Sequence, residues 1–520
     1  MESQGLEDAD LPVKWAKVID HASCIGCHAC TTACKSENEV PLSVTRTYVK
    51  YVDVGVFPQA RRAFQVTRCN QCEDSPCTTA CPTSAMYQRP DGIVDFDKTA
   101  CIGCKACIAA CPYDAIFINP EDHSAEKCNF CAHRLDVGLE PACVVVCPTE
   151  AILVGDLNDS GSRVAQMIQR EPVAVRRPEK ETRPKLFYRG AHQATLDPLA
   201  ARRPDGGLFL WSEQQRGGHH VVSGHPGFPG DGGTSAGNSS AAALLSYDVA
   251  HQAPWDWRVS LYTLTKGIAA GAYLVPALLL LVGLLQPSSP LWTLGVPLVA
   301  GAALALTGAL LIWDLEHPAR FYKIFTRPQW RSWLVRGAFI IAGYSLVLGI
   351  HLLGALAGEG GGVLLVLRWA GVPLATLTAV YTAYLFAQAK ARDLWQNPLL
   401  PPHLLVQAAL AGAAALVPLA QAKVMEATSP LLWVLAGSTF LHLLLVAGEI
   451  TLPHGTAHAR LAVYEMVRGR YRGFFWSGLA LGAVGLFAPV LGAAAALPAL
   501  LGLLAFEHAY VQAGQSVALA

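Results

Sequence analysis

Residues Cys24–Cys34 read CIGCHACTTAC, a C-x2-C-x2-C-x3-C run, and three further groups of four cysteines follow before the chain reaches Pro148. They are Cys69, Cys72, Cys77 and Cys81; Cys101, Cys104, Cys107 and Cys111; and Cys128, Cys131, Cys143 and Cys147. The third group repeats the first spacing, while the second and fourth widen one gap to four and eleven residues, and Cys81, Cys111 and Cys147 each precede a proline. All 16 cysteines belong to these groups, so none is present in the 373 residues after Cys147. Charge divides the chain in the same place. Residues 1–257 carry 24 Lys/Arg and 31 Asp/Glu, but residues 258–520 carry only 15 and 8. The whole is 52% hydrophobic and 15% charged, against roughly 25% charged for a soluble globular protein, which excludes a single ordinary soluble domain. Two chemistries share one chain.

The N-terminal sequence MESQGLEDADLPVKWAKV shows no apolar export core and no twin arginine, so the thiols are expected to stay reduced. In a reducing compartment regular cysteine spacing reads as metal binding rather than as cross-linking. Three closely spaced thiolates wrap one face of an iron–sulfur cubane, and the fourth, beyond a short turn, reaches a neighbouring cluster, as in the bacterial ferredoxin run. Sixteen ligands therefore imply four [4Fe–4S] clusters in two ferredoxin-like modules. The alternative is zinc, since C-x2-C pairs also build zinc ribbons; four complete quartets with C-P endings argue against it. Spacing does not say which groups share a cluster.

The segment from about residue 14 to 200 resembles the four-cluster electron-transfer subunit (DmsB/PsrB-type) of the molybdopterin oxidoreductases, the kind that accompanies dimethyl sulfoxide, polysulfide and nitrate reductases. The resemblance implies that the first group shares clusters with the fourth, and the second with the third. Cys24, Cys27 and Cys30 would then join Cys147, and Cys128, Cys131 and Cys143 would join Cys34. Likewise Cys69, Cys72 and Cys77 would join Cys111, and Cys101, Cys104 and Cys107 would join Cys81. Some relatives lack one ligand of the third group and hold a three-iron cluster; Cys104 is present here, so four cubanes are expected. Residues 161–203 then hold ten Lys/Arg against four Asp/Glu, a docking strip for a partner or lipid headgroups, or a solvated charged face. Residues 201–257, rich in Gly, Ser, His and Pro, read as a flexible linker, with His219 and His220 as a solvated pair rather than a metal site.

Apolar runs of about 20 residues or more recur at 260–285, 291–313, 333–357, 362–388, 403–422, 430–452, 473–492 and 495–515. Each can cross a hydrocarbon core of roughly 30 Å, so eight helices are expected over residues 258–520. The loops on one face would carry twelve Lys/Arg (Arg258, Arg320, Lys323, Arg327, Arg331, Arg336, Lys390, Arg392, Arg460, Arg468, Arg470, Arg472), against Arg368 and Lys423 on the other. That bias puts the cysteine domain on the cytoplasmic face of the inner membrane, although basic loops that dock a partner subunit would leave the same mark.

Three stretches carry a second resemblance: WDWRVSLYTLTKGIAAGAYL from Trp255, DLEHPARF from Asp314, and YTAYLFAQAKARDLWQNPLLPP from Tyr381. They are similar to the NrfD/PsrC-type membrane subunits, which have eight helices, no haem and a quinone site. By that resemblance Tyr381 is the quinone-bonding tyrosine and Asp314 the aspartate of the second motif. Val259 and Tyr262 replace the Asn and His that a relative's first helix offers, so only Tyr262 is left to bond there. An ammonium within the bilayer costs at least a few kcal/mol, so Lys266 needs a partner. Asp314, with Glu316 nearby, is the expected one, giving a polar pocket of Lys266, Asp314, Tyr262 and Tyr381 for a quinone ring; a structural ion pair is the plainer reading. His442 and Glu449 share a face of the sixth run and read as a polar contact or a proton relay. Histidines within the runs (His351, His442, His508, with His403 at the edge of one) lack the paired pattern of a two-haem protein.

These readings combine into an α+β double ferredoxin-like iron–sulfur domain (1–200), a linker (201–257) and an all-α eight-helix transmembrane domain (258–520). The expected function is electron transfer through four [4Fe–4S] clusters between a membrane quinone or menaquinone pool and a large catalytic subunit, most naturally a molybdenum or tungsten bis-pterin protein. Membrane lipid is the other expected partner, and nucleic acid is not one. The chain itself has no catalytic motif left once the cysteines are used. A nickel–iron hydrogenase partner is the rival within redox chemistry, and a redox-driven ion pump or transporter is the rival outside it.

Overall fold

A computed structural model describes residues 12–202, 242–358, 362–424 and 427–520, and it divides into two compact units. His219, His220 and residues 203–241 of the expected linker lie outside the described residues.

The first unit comprises residues 1–254 with Val517–Ala520. Its strands are β1 (Trp15–Asp20), β2 (Thr47–Val54), β3 (Arg61–Arg68), β4 (Met86–Gln88), β5 (Val94–Phe96), β6 (Ile116–Ile118), β7 (Ala125–Lys127), β8 (Ile152–Asp156), β9 (Val173–Ala174), β10 (Leu186–Arg189) and β11 (Ala243–Tyr247). They form a four-stranded sheet in the order β8-β1-β10-β9, a three-stranded sheet β11-β2-β3, and two separate hairpins, β4-β5 and β6-β7. Short helices interrupt the strands: α1 (Ala29–Glu37), α2 (Pro76–Ala80), α3 (Ala106–Ala110), α4 (Ala132–Leu135), α5 (Ala142–Val145), α6 (Arg163–Arg170) and α7 (Gln193–Leu196). The segments α2-β4-β5 and α3-β6-β7 are two copies of one motif, a one-turn helix holding a cysteine (Cys77, Cys107), a second cysteine at its C-cap (Cys81, Cys111), then a hairpin.

Two expectations are corrected by this fold. The end of the stretch read as linker is structured, because the apolar residues of ALLSY let β11 pair antiparallel with β2 and bury Leu245. The basic stretch is not a wholly solvated face. Its strand β10 lies inside the four-stranded sheet, Arg176, Arg177 and Lys185 are buried, and Arg189 pairs with Asp20 while Arg183 pairs with Asp74.

The second unit, Trp255–Ser516, is helical. It contains α8 (Trp257–Leu281), α9 (Val296–Trp313), α10 (Lys323–Thr326), α11 (Trp333–Leu356), α12 (Gly362–Gln388), α13 (Leu400–Leu419), α14 (Thr428–Thr451), α15 (Ala457–Val467), α16 (Arg472–Ala483), α17 (Ala488–Leu491) and α18 (Ala496–Ser516). Among the described residues seven stretches are long and apolar enough to cross a membrane. The last of them, Arg472–Ser516, is 45 residues long and doubles back at Gly492, so it supplies two arms. A Cβ on Gly502 would lie 2.2 Å from Gly482 N, and one on Gly478 would lie 2.8 Å from Phe506 N, which sets α16 and α18 antiparallel and in backbone contact. With its two arms counted separately the eight expected runs are all present. Small residues set the other close crossing as well: a Cβ on Gly271 would fall 1.7 Å from the Ala408 carbonyl, so α8 and α13 touch through their backbones, the packing that membranes favour where no hydrophobic force drives helices together. Leu353, Trp369, Trp433, Phe440 and Val490 are exposed on the outside, as lipid-facing side chains are, and Trp257, Trp313, Trp330 and Trp476 are exposed in or near the first or last turns of helices, where interfacial aromatics are enriched.

Candidate functional site

Functional side chains gather in two places, one in each unit. In the first unit cysteines of different groups lie beside one another. The CIGC turns of the first and third groups are made by Gly26 and Gly103, at φ +70° and +69°, which lets successive thiols converge. A cavity is lined by Cys81, Cys101, Cys104 and Cys107 with Pro82, Met86, Phe96 and Ile102. Cys72 and Cys77 feel the charges of Cys69 and Cys111. The Asn38 amide lies 3.7 Å from both Cys34 Sγ and Cys131 Sγ, and Cys128, Cys143 and Cys131 are the thiols that act on Cys34. Cys24 is acted on by Cys147 and Cys27. The sets are also chained: Cys30 interacts with Cys143, Cys69 with Cys128, and Cys107 with Cys77. This order, which spacing does not contain, runs from the set of Cys24 to the set of Cys107. The two ends reach the surface, through Cys27, which is exposed, and Cys104, which is half-buried.

Burial pushes most of these thiols up, Cys30 and Cys111 to about 11, Cys34 and Cys72 to about 12. Cys143 is the exception. Burial raises it too, but Lys17 and Arg68 outweigh burial and bring it down to about 7. Arg68 Nη1 donates to Cys143 Sγ at 3.0 Å, Lys17 Nζ lies 3.8 Å from the same sulfur, and both cations are buried. Among the described residues Arg68 Nε and Nη2 have no hydrogen-bond partner, an arrangement that suits an anionic group held among the thiolates. Among the described residues no three His, Cys, Asp or Glu side chains close around a single ion. Backbone N–H groups of Met86, Gly103, Ala125 and Ala151 point at Cys81, Cys101 and Cys147 sulfurs at 3.2–3.4 Å, and such bonds tune iron–sulfur centres. The buried donor set therefore fits iron–sulfur clusters.

In the membrane unit the polar side chains gather differently from expectation. Lys266 is buried on α8, and its ammonium donates to the Ala379 carbonyl and the Thr382 hydroxyl, each at 2.8 Å, with its Nζ 5.2 Å from the centre of the Tyr381 ring. Its electrostatic partner is Glu507 on α18, not Asp314. The expected Lys266–Asp314 contact is thus corrected. Lys266 sits a turn deeper than Tyr262 beside α12, whereas Asp314 caps the end of α9 and acts on Arg258 and Tyr262. Tyr262 and Tyr381 are buried and both lie beside Thr382. The structure therefore brings Tyr262, Lys266 and Tyr381 together, and puts Asp314 near Tyr262 and Arg258.

Glu507 escaped the sequence reading. It accepts a hydrogen bond from Thr263 at 2.9 Å and is buried; the signal that could have found it is a lone acid within an apolar run, which in a membrane marks function by default. Its cavity is lined by Thr263, His403, Gln407, Glu507 and Tyr510 with apolar neighbours. His403 joins His442 (Nε2 to Nδ1, 2.8 Å) and Glu449 (Nδ1 to Oε1, 2.9 Å), so His442 and Glu449 meet through a third residue. The two imidazoles face each other across helices but bond directly, ring centres 5.0 Å apart.

Residues 60–157 match the family described as 4Fe-4S dicluster domain, and residues 246–503 match Polysulphide reductase, NrfD. The chain is 42% identical over 208 residues to the B subunit of the tetrathionate reductase of Salmonella typhimurium, covering 38% of this chain and 80% of the relative. It is 43% identical over 177 residues to the B component of the polysulfide reductase of Wolinella succinogenes (34% and 93%) and 40% identical over 178 residues to NrfC of Escherichia coli (34% and 80%).

Proposed function

Since the chain belongs to the family of iron–sulfur subunits that includes those of tetrathionate and polysulfide reductases, joined here to an NrfD-type membrane domain, we propose that it passes electrons between the membrane quinone pool and a separate catalytic subunit. The chain is a multi-pass membrane protein with an electron-transfer iron–sulfur part. The observation that supports the proposal is the run of neighbouring cysteines drawn from different groups, with buried cations among them and both ends near the surface. Cys24, Cys27, Cys30 and Cys147 hold one cluster. Cys34, Cys128, Cys131 and Cys143 hold the next, Cys69, Cys72, Cys77 and Cys111 the third, and Cys81, Cys101, Cys104 and Cys107 the fourth. When bound, four [4Fe–4S] clusters supply one-electron transfer along a line. The quinone ring docks where Tyr262, Lys266 and Tyr381 meet, Tyr381 donating to a carbonyl and Lys266 favouring the reduced, anionic form. Asp314 supports that site from the end of α9. The catalytic partner is a bis-pterin molybdenum or tungsten subunit, in keeping with the reductases named among the relatives, and the cluster part lies on the cytoplasmic face of the inner membrane.

Metal analysis of the anaerobically purified full chain tests the cluster count. Sixteen irons and sixteen acid-labile sulfides per chain are expected; stoichiometric zinc, or a reducible Soret band at one haem per chain, would overturn it.

A further inference from the structure

The quinone site proposed above leaves unexplained how protons reach a buried ring. Two oxygens must gain or lose protons as two electrons move, and Tyr262, Lys266 and Tyr381 are all buried. Beside them, the electrostatic partner of Lys266 is Glu507, whose carboxylate is bonded by Thr263 and lines a cavity. On the other wall of that cavity stand His403 and Gln407. Gln407 is buried, its amide nitrogen lies 3.3 Å from His403 Nε2, and its Oε1 has no hydrogen-bond partner among the described residues. A buried amide oxygen left this way, at a cavity that Glu507 and His403 also line, is where water belongs. Beyond it, ring nitrogens 2.8 Å apart on His403 and His442 share one proton, because an N–H···N bond needs one nitrogen protonated and the other bare. His403 Nδ1 then meets Glu449 at 2.9 Å, and Glu449 is bonded at 3.2 Å by Asn397, in a loop where Gln396, Pro398 and Leu399 are exposed.

We propose that these residues form a proton path: protons exchanged with quinone at Tyr381 and Lys266 pass through Glu507, the water of the cavity, and His403 with its partners His442 and Glu449, to the face of the membrane unit that carries Gln396–Leu399. The path rests on the proposed quinone site and gives it a direction. All its members lie in one half of the unit, in the first part of α8, the start of α13 and the last parts of α12, α14 and α18. The opposite half is filled by Tyr273, Trp292, Tyr344 and His351, whose rings pack on one another. In quinone reduction two electrons arrive from the iron–sulfur centres, two O–H bonds form on the ring, and two protons enter by this route; quinol oxidation reverses each transfer.

The test uses the full chain with its clusters in liposomes, reduced by a soluble dye and then mixed with a menaquinone analogue. Glu507→Gln, His403→Gln and Glu449→Gln are each expected to slow quinone reduction about tenfold or more and to enlarge the slowing in D2O. Reoxidation by ferricyanide, which takes an electron without a proton, should proceed at the parent rate. Imidazole added to His403→Ala is expected to restore most of the rate. If His403 variants fail to assemble, Glu449→Gln and Gln407→Leu carry the test. The path is overturned if Glu449→Gln and His403→Gln react at the parent rate while Tyr381→Phe is slow, or if ferricyanide reoxidation slows equally. If Tyr381→Phe and Lys266→Met also react at the parent rate, the quinone site itself is wrong.

Discussion

A guanidinium taken out of water needs an anion against it, and Arg68 meets that need with a thiol. It is 2% exposed, bonds Cys143, and keeps two N–H groups without partners. If the set of Cys34, Cys128, Cys131 and Cys143 holds a cluster, Arg68 stabilises the extra electron of its reduced state. Arg68→Met should therefore lower the midpoint potential of that cluster, by about 59 mV if the cation is worth tenfold in the one-electron equilibrium, and leave the other three nearly unmoved. A redox titration followed by electron paramagnetic resonance reads this directly; a potential unchanged for every cluster would exclude that role for Arg68. Sequence could not single out Arg68, because nothing local marks one arginine in a strand as buried. Lys266 was legible, since a charge in an apolar run always demands an explanation, but its partner was not. Glu507 is brought to it from the last helix by packing, and the carboxylates nearer in sequence misled.

At the scale of elements, the segment after β11 is tied down by one histidine. His251 is largely enclosed between Asp114, which it hydrogen-bonds, and Asp248, 3.2 Å away. Burial pulls its pKa down, but the two carboxylates more than offset this and hold it at about 10. A pKa raised above the usual 6.5 stabilises the fold fully below about pH 6.5, and that contribution is lost as pH rises through about 10. The melting temperature of the cluster-loaded chain should thus fall between pH 7 and 10, and His251→Leu should melt lower at pH 7 with a flatter dependence over that window. A parent chain whose melting is level across it would contradict the tie. Elements of this kind were where the sequence was hardest to read. The apolar runs announced their helices by length alone, and the C-x2-C turns announced themselves by spacing, yet β11 and β10 are short strands whose pairing depends on chain far away. A glycine-rich, basic neighbourhood made the one look like linker and the other like a surface strip.

For the whole molecule, two chemistries joined in one chain were visible as a break in charge and cysteine content, and the two compact units divide at Pro254. The mixed pairing of cysteine groups was open to resemblance but not to spacing, since a fourth ligand on the far side of a turn has no fixed distance in sequence to its cluster mates. The bias of basic residues toward one set of loops supports the proposed orientation. Reporters fused after Arg392 should be active only in their cytoplasmic form, and those fused after Val424 only in their exported form; the reverse pattern would invert the membrane domain and put the cluster part outside. Quinone and the iron–sulfur clusters are proposed to exchange electrons within this one chain, and reoxidation in liposomes tests this most directly. With no other subunit present, clusters reduced by a soluble dye should be reoxidised rapidly when a menaquinone analogue is added, and slowly in Tyr381→Phe. Clusters that are intact, and reoxidised by ferricyanide, but remain reduced in the presence of quinone would contradict it.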